Sequence, residues 1–263
     1  MKKLKISIIT VVLNNKETIQ DAISSVLDQT YKDIEYIIID GASTDGSIET
    51  IKSYGDKITK FVSEPDKGLY DAMNKGIKLA TGDVIGILNS DDFYIDEFVI
   101  ERVVREFEKK QVDSVYADLV YVNPENLDKI VRYYDSSHFN PQRFAYGWTP
   151  AHPTFFVKRE IYERYGIFRT DLKAAADFDI FIRLLYIHKI SYSYIQEVLV
   201  KMRTGGVSTS FSSIWINNIE QLQVCNDNNV DTNIFKIFLK YPRKILGIFK
   251  RNVTLNSTNE KNT

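Results

Sequence analysis

Two adjacent carboxylates, Asp91 and Asp92, follow the apolar run Val84-Ile85-Gly86-Ile87-Leu88, with only Asn89 and Ser90 between. Such a run reads as a buried strand, so the pair is delivered to a sheet edge. Hard divalent cations, Mg2+ or Mn2+, take carboxylate and phosphate oxygens. A pair of this kind suits the neutralisation of a departing diphosphate. No His/Cys cluster competes for a zinc role, because the chain has one cysteine, Cys225, and 3 histidines. Further polar groups stand at equivalent places. Thr10 and Asn14 follow a first apolar run, Asp40 ends a second, and Glu64, Asp66 and Gly68 follow a third. Turn and cap preferences explain any one of these. They do not call for two neighbouring carboxylates behind an apolar strand.

The elements that must position these groups are legible from hydrophobic spacing. Residues 5–12 form a β-branched apolar run, a buried strand. Ile19, Ala22, Ile23, Val26 and Leu27 then recur at helical spacing. Strands are expected at 34–40, 58–63 and 83–88. Helices are expected from the turn-rich 41–47 stretch to about Tyr54, along Leu69, Ala72, Met73, Gly76, Ile77 and Ala80, and over 96–110. Alternating strands and helices imply right-handed crossovers and a parallel sheet. Open sheets of this kind bind ligands at the carboxyl ends of their strands. The second half is less regular. Paired strands are expected at 114–122 and 129–134 across a turn at Pro124-Glu125-Asn126, and a short strand at 154–157. A helix is marked by Phe178, Phe181, Ile182 and Leu185, then a strand at 191–202 and a helix at 212–228. His152 is expected in a short strand between Pro150 and Pro153.

Composition excludes several classes. Of 263 residues, 44% are hydrophobic and 26% charged, ordinary for a globular protein. A single cysteine rules out an intrachain disulfide. With 34 basic against 35 acidic residues there is no net positive charge to favour nucleic acid. The run at 6–13 is interrupted by Ser7 and Thr10 and reads as a strand, not as a secretory signal. No apolar run approaches the roughly 20 residues needed to span a bilayer.

The motifs in order are SIITVVLNN at 7–15, IIIDGASTDGS at 38–48, SEPDKGLYDAMNKGI at 63–77, LNSDD at 88–92, HPTFFVKRE at 152–160 and AADFDIFIRL at 175–184. Together they resemble the family 2 inverting glycosyltransferases of the GT-A fold, notably the bacterial enzymes that build O-antigen and exopolysaccharide repeat units. The resemblance implies an α/β architecture: a Rossmann-like, mostly parallel sheet flanked by helices, a mixed acceptor-side half and C-terminal helices. It implies a catalytic domain over 1–212, with a nucleotide-binding half at about 1–110 and an acceptor half at about 111–212. It also implies a nucleotide-sugar donor, a UDP-sugar by the presence of Asp40, and a glycan or polyprenyl-diphosphate-linked acceptor.

Residue roles follow from the same resemblance. Thr10 and Val12 would line the nucleotide pocket, with Asn14 nearby. Asp40 would accept from the uracil imide, and Asp66 and Lys67 would sit beside the nucleotide. Asp92 would hold Mn2+ or Mg2+ on the diphosphate. Because Asn89 and Ser90 precede the pair, the first Asp of a strict Asp-x-Asp is missing, which gives Asp91 a role on the sugar or behind the ligand. Asp177 matches the family's general base, although Ala176 stands where the family often has Glu. Asp179 lies on a different helix face and would stabilise the helix. Asn74 either bonds the donor or anchors its loop. His152 and Trp148 would face the acceptor, with structural packing as the alternative for each. Gly205-Gly206 would hinge a loop over the site. The Gln-x-x-Arg-Trp signature of processive synthases is absent, which favours transfer of one sugar.

Residues 213–252 are expected to be helical and to touch the membrane, with packing on the domain as the alternative, and a disordered tail is expected at 253–263. Residues 234–252 hold six basic and no acidic side chains, interleaved with aromatic and aliphatic ones, a composition suited to an anionic lipid surface. The expected location is the cytoplasm, at the inner face of the cell membrane. Other classes fit less well. A sugar-phosphate nucleotidyltransferase needs a Gly-rich basic loop after the first strand, and none is present. A non-catalytic binding module is disfavoured by the presence of both Asp92 and Asp177. A dehydrogenase is disfavoured by the lack of G-x-G-x-x-G.

Overall fold

A computed structural model describes residues 3–205 and 211–241. Strand β1 (Ile6–Val12) is buried along its whole length. It leads into helix α1 (Lys16–Leu27), strand β2 (Ile34–Asp40) and helix α2 (Ser47–Lys52). Strand β3 (Lys60–Ser63), helix α3 (Leu69–Leu79) and strand β4 (Val84–Ile87) complete a parallel set ordered β3-β2-β1-β4. The carboxyl ends of these strands share one edge, as right-handed crossovers require. Residues of β1 and β2 alternate between two core layers. Ile9, Val11, Ile37 and Ile39 face Met73 and Ile77 of α3, while Ile6, Ile8, Tyr36 and Ile38 face Ile19, Ile23 and Val26 of α1. Gly76 lets α3 lie close on β1, because a Cβ there would come within 2.4 Å of Ile9 Cγ2.

Strand β5 (Asp92–Tyr94) and helix α4 (Val99–Lys110) follow, then the hairpin β6 (Ser114–Asn123) and β7 (Asn126–Tyr134). Strand β8 (Phe156–Lys158), helix α5 (Arg159–Tyr165), helix α6 (Ala176–Phe181) and strand β9 (Tyr192–Arg203) come next; α6 runs on as a wider π turn over Ile182–Ile187. The sheet continues past β4 as β8-β6-β9-β5, with β7 paired to β6. β4–β8, β6–β8, β5–β9 and β6–β7 are antiparallel, and β6–β9 is parallel. Helices α7 (Phe211–Asp227) and α8 (Ile234–Phe238) close the described chain. Among the described residues, no helix is long and apolar enough to cross a membrane.

Three sequence expectations change. His152 is not in a strand: His152–Thr154 is a 3-10 turn, and the strand starts at Phe156. Pro153, which has no amide hydrogen and a fixed φ, suits a turn and not a ladder. Asp92 does not sit in a loop but opens β5, paired with Met202 of β9. The 129–134 strand begins earlier, at Asn126, so the hairpin turn is tighter than expected. α7 packs into the main core through Val224 and Cys225. Gly205 has φ +98°, while Gly206 and residues 242–263, including the expected tail, lie outside the described residues.

Candidate active site

Asp40 ends β2 and is fully buried. Its Oδ2 accepts from the Ser43 amide at 3.0 Å and the Ser63 hydroxyl at 2.7 Å. Its Oδ1 is buried without a hydrogen-bond partner. A buried carboxylate oxygen left open is costly unless something else fills that role, so Asp40 is built to receive a donor. Asp66 leans over the same strand end. A Cβ on Gly41 would lie 2.5 Å from Asp66 Oδ2, so the glycine makes room for that carboxylate. Asn14, at φ 49°, accepts from the Thr44 amide at 2.8 Å, and its own amide donates to Ser43 Oγ at 2.7 Å. Its side chain therefore ties the β1 and β2 loops together. Thr10 is buried with its hydroxyl 3.1 Å from that of Tyr36, and Val12 is buried beyond it. Lys67 is exposed on the loop before α3. Asn74 spends both ends of its amide on Phe168, donating to its carbonyl at 2.8 Å and accepting from its amide at 3.0 Å. Of the two readings offered for Asn74, the geometry is that of an anchor.

The second half of the cluster follows β4. The Asn15 side chain donates to Ser90 Oγ at 2.8 Å, and Thr18 donates to the Ser90 carbonyl at 2.9 Å, so the start of α1 pins the 89–92 loop. Arg203, at the end of β9, donates to the Asp91 carbonyl at 2.7 Å and pairs with Asp21. Asp92 is fully buried. Its Oδ2 accepts from Asn89 Nδ2 at 3.2 Å, and its Oδ1 has no partner. Burial, and then the charge of Asp91, push its pKa well above the usual carboxylate range. Asn89 Nδ2 also lies 3.3 Å from His152 Nε2. Since the amide nitrogen carries only hydrogens, Nε2 accepts, and the ring proton sits on Nδ1. Nδ1 in turn stands 4.0 Å from Asp177 Oδ2. Burial lowers the His152 pKa, and the charges of Asp177 and Asp91 oppose this in part. Asp92, Asn89, His152 and Asp177 thus form one continuous chain of contacts across the cleft.

Asp177 is the second residue of α6, half-exposed, with Oδ1 accepting from the Phe178 amide at 2.8 Å. Asp179 is buried and bound to Arg183 at 2.7 Å and Arg169 at 3.7 Å, the helix-stabilising role expected of it. Trp148 packs on Tyr134 with ring centroids 5.8 Å apart. Arg132 lies over the Tyr121 ring at 3.8 Å, and burial raises the Tyr121 pKa, which the Arg132 charge opposes. Sequence reading missed this Tyr121–Arg132–Tyr134 wall, because the hairpin registered only as strands. Among the described residues, no three His, Cys, Asp or Glu side chains are grouped to hold a metal unaided. A hollow of about 340 Å³ lined by Asp113, Glu160, Arg164 and His188 lies at the amino ends of β6 and β9, and shares no residue with the cluster.

An open α/β sheet with carboxylates gathered at the carboxyl ends of its strands places a candidate ligand site at that edge. The sequence matches the description "Glycosyl transferase family 2" over residues 7–166, and the chain belongs to that family. It is a glycosyltransferase, and the nucleotidyltransferase and binding-module readings fall away. It is 27% identical to an uncharacterized glycosyltransferase of Rickettsia typhi over 83% of this chain and 69% of that one. Identity is 26% with a PGL/p-HBAD biosynthesis glycosyltransferase of Mycobacterium tuberculosis, over 78% of this chain and 79% of that one. With the hyaluronan synthase of Pasteurella multocida it is 28%, over 85% of this chain but only 23% of that one. Among solved structures, Staphylococcus aureus TarS 1-349 in complex with UDP-GlcNAc superposes with a TM-score of 0.66 at 15% identity, over 96% of this chain and 77% of that one. The mannosyltransferase PcManGT of Pyrobaculum calidifontis, in complex with GDP-Man and Mn2+, gives 0.64 at 18% identity, over 94% and 72%. These likenesses establish the GT-A fold.

Proposed function

We propose that this glycosyltransferase moves one sugar, with inversion, from a UDP-sugar to a glycan acceptor on a lipid carrier, in the building of a bacterial surface polysaccharide. The observation that carries the reading is the contact chain from Asp177 through His152 and Asn89 to Asp92. It joins a partly exposed carboxylate, able to take a proton, to a buried carboxylate oxygen that lacks a partner. Asp177 takes the proton of the acceptor hydroxyl as that oxygen forms its bond to the anomeric carbon. The bond from that carbon to the diphosphate oxygen breaks on the opposite face, and the nucleoside diphosphate leaves with the electron pair. Asp177 is left protonated. Asp92, whose buried Oδ1 has no partner, would hold a Mg2+ or Mn2+ ion, with Asp91 next to it in sequence. Such a cation, when bound, neutralises the charge that builds on the leaving group. Asp40 Oδ1 is the acceptor for a donor N–H of the base, and Asp66, Lys67, Thr10, Val12 and Asn14 frame that pocket. Trp148 and His152 face the acceptor.

The UDP reading draws on the UDP-GlcNAc bound to TarS, and the lipid-linked acceptor on the resemblance to the bacterial repeat-unit enzymes. Contact with the inner face of the membrane is supported by exposed Trp215, Ile216 and Ile219 on α7, Phe235 on α8 and Leu239 just after it. The basic side chains in and just after α8 contribute less than their number suggests. Lys236 pairs with Asp231 at 3.0 Å, and Lys240 is buried on Gln221. Phosphatidylcholine–phosphatidylglycerol vesicles should therefore retain the wild type and release Trp215→Glu; equal binding by both sinks the membrane reading. The main test is a melting-temperature screen of nucleotide sugars with Mn2+, followed by turnover of the stabilising donor. Asp177→Asn should cut turnover by about 100- to 10,000-fold, as loss of a general base does, while leaving the donor-induced rise in melting temperature intact. Near-normal turnover in that variant overturns the mechanism.

A further inference from the structure

The segment that carries Asp177 is held from behind by a residue outside the family match. Glu220, on α7, points its carboxylate at three consecutive amides. Lys173 N–H donates to Oε1 at 2.9 Å and to Oε2 at 3.1 Å, and Ala174 and Ala175 N–H donate to Oε2 at 2.8 and 3.0 Å. Asn217, three residues earlier and so on the same helix face, donates to the Ala174 carbonyl at 3.1 Å. Successive amides turned toward one point form an anion-binding concavity, and bonds from them to a carboxylate are charge-assisted. Here the anion comes from the chain itself. Two residues past this concavity stands Asp177.

The opposite side of the segment is held by α3. Asn74 fixes Phe168 through both ends of its amide, and Tyr70 stacks on Phe168 with centroids 5.8 Å apart. The segment is thus clamped between α3 and α7, and only the α7 clamp carries a charge. A carboxylate moved by 1 Å loses much of its reach toward a hydroxyl proton, so the rigidity of this clamp bears on catalysis.

We propose that Glu220 is a positioning residue: by gathering the amides of 173–175 it fixes the Asp177 carboxylate against His152. The inference rests on Asp177 as the base, but its test needs no donor. His152 Nδ1 stands 4.0 Å from Asp177 Oδ2, so the ring reports where that carboxylate is. The His152 ring protons, distinguished from those of His138 and His188, are titrated by NMR in the full-length chain. Asp177→Asn should lower the His152 pKa, because a carboxylate 4.0 Å from Nδ1 favours the protonated ring. Glu220→Gln should lower it in the same direction by a fraction of that shift, because the carboxylate is displaced and not removed. The double variant should titrate as Asp177→Asn does, because residues acting through one group are not additive.

Should Glu220→Gln fail to fold, Glu220→Asp and Asn217→Ala serve, each giving a smaller shift of the same sign. A His152 titration unchanged in Glu220→Gln overturns the proposal, as does a shift that persists at full size in the Asp177→Asn background. In turnover, Glu220→Gln should lower kcat and leave the donor KM as it is; a loss confined to KM also overturns it. If Asp177→Asn itself retains turnover, the function proposed above fails, whereas the titration still decides whether Glu220 places that carboxylate.

Discussion

Replacing Asp92 with Asn should make the protein more stable and less able to bind its donor. Asp92 is fully buried, its Oδ1 has no partner, and burial together with Asp91 raises its pKa. Each unit of such a rise costs about 1.4 kcal/mol of stability at pH values above the raised pKa. An unpaired buried ion costs several kcal/mol, whereas an unpaired buried amide costs about 1–3 kcal/mol. Asn keeps the shape, and its carbonyl can still accept from Asn89. The net gain is therefore about 2 kcal/mol, or about 4–8 °C in melting temperature for a chain of this size. The sign with pH follows from linkage. Below the unfolded carboxyl pKa of about 3.9, Asp92 is neutral in both states and costs nothing. The native state holds the proton to higher pH, so the wild type loses stability relative to the variant as pH rises through the native pKa. Melting by circular dichroism, without metal, from about pH 4 to about pH 8 should show the gap between variant and wild type opening. Adding Mn2+ and UDP should then raise the wild-type melting temperature, since a ligand at about 100 times its Kd contributes about 2.7 kcal/mol. The variant should lose the Mn2+-dependent part. A variant that melts at or below the wild type at the upper pH, or a gap that does not widen with pH, refutes the reasoning.

Gly41→Ala should weaken donor binding with little change in melting temperature, because its Cβ would meet the Asp66 carboxylate at 2.5 Å, the free end of a side chain. Calorimetry with UDP and Mn2+ reads this, and unaltered affinity counts against Asp66 as a pocket wall. Gly76→Ala should do the reverse. Its Cβ would press on Ile9, buried in the central strand, at 2.4 Å. Overpacking costs about 1–3 kcal/mol, against up to about 1 kcal/mol gained in helix propensity. The net loss should appear as a lower melting temperature, and an unchanged one would mean that α3 is free to lift off the sheet.

The parallel half of the sheet is legible in the sequence because each strand is a β-branched run and each crossover helix has its own apolar stripe. The same regularity puts Asp40, Asp66 and Asp92 on one edge by spacing alone. β5 is not legible. It has three residues, and its pairing is made with β9 about a hundred residues away, so no local period encodes it. Glu220 escapes notice for a different reason: its partners are main-chain amides, which every residue but proline has and no motif advertises. Lys240 shows the reverse error. Its charge suggests a basic surface, but the fold turns it inward to Gln221.

The pairing of Asp92 with Met202 has a consequence for how the enzyme comes into being on the ribosome. Strands β1 to β4, with Asp40 at their carboxyl edge, all lie within the first 87 residues. The strand that Asp92 opens can pair only when β9 has emerged, roughly 5–20 s later at about 5–20 residues per second. The two sides of the candidate site are therefore assembled at different moments of synthesis.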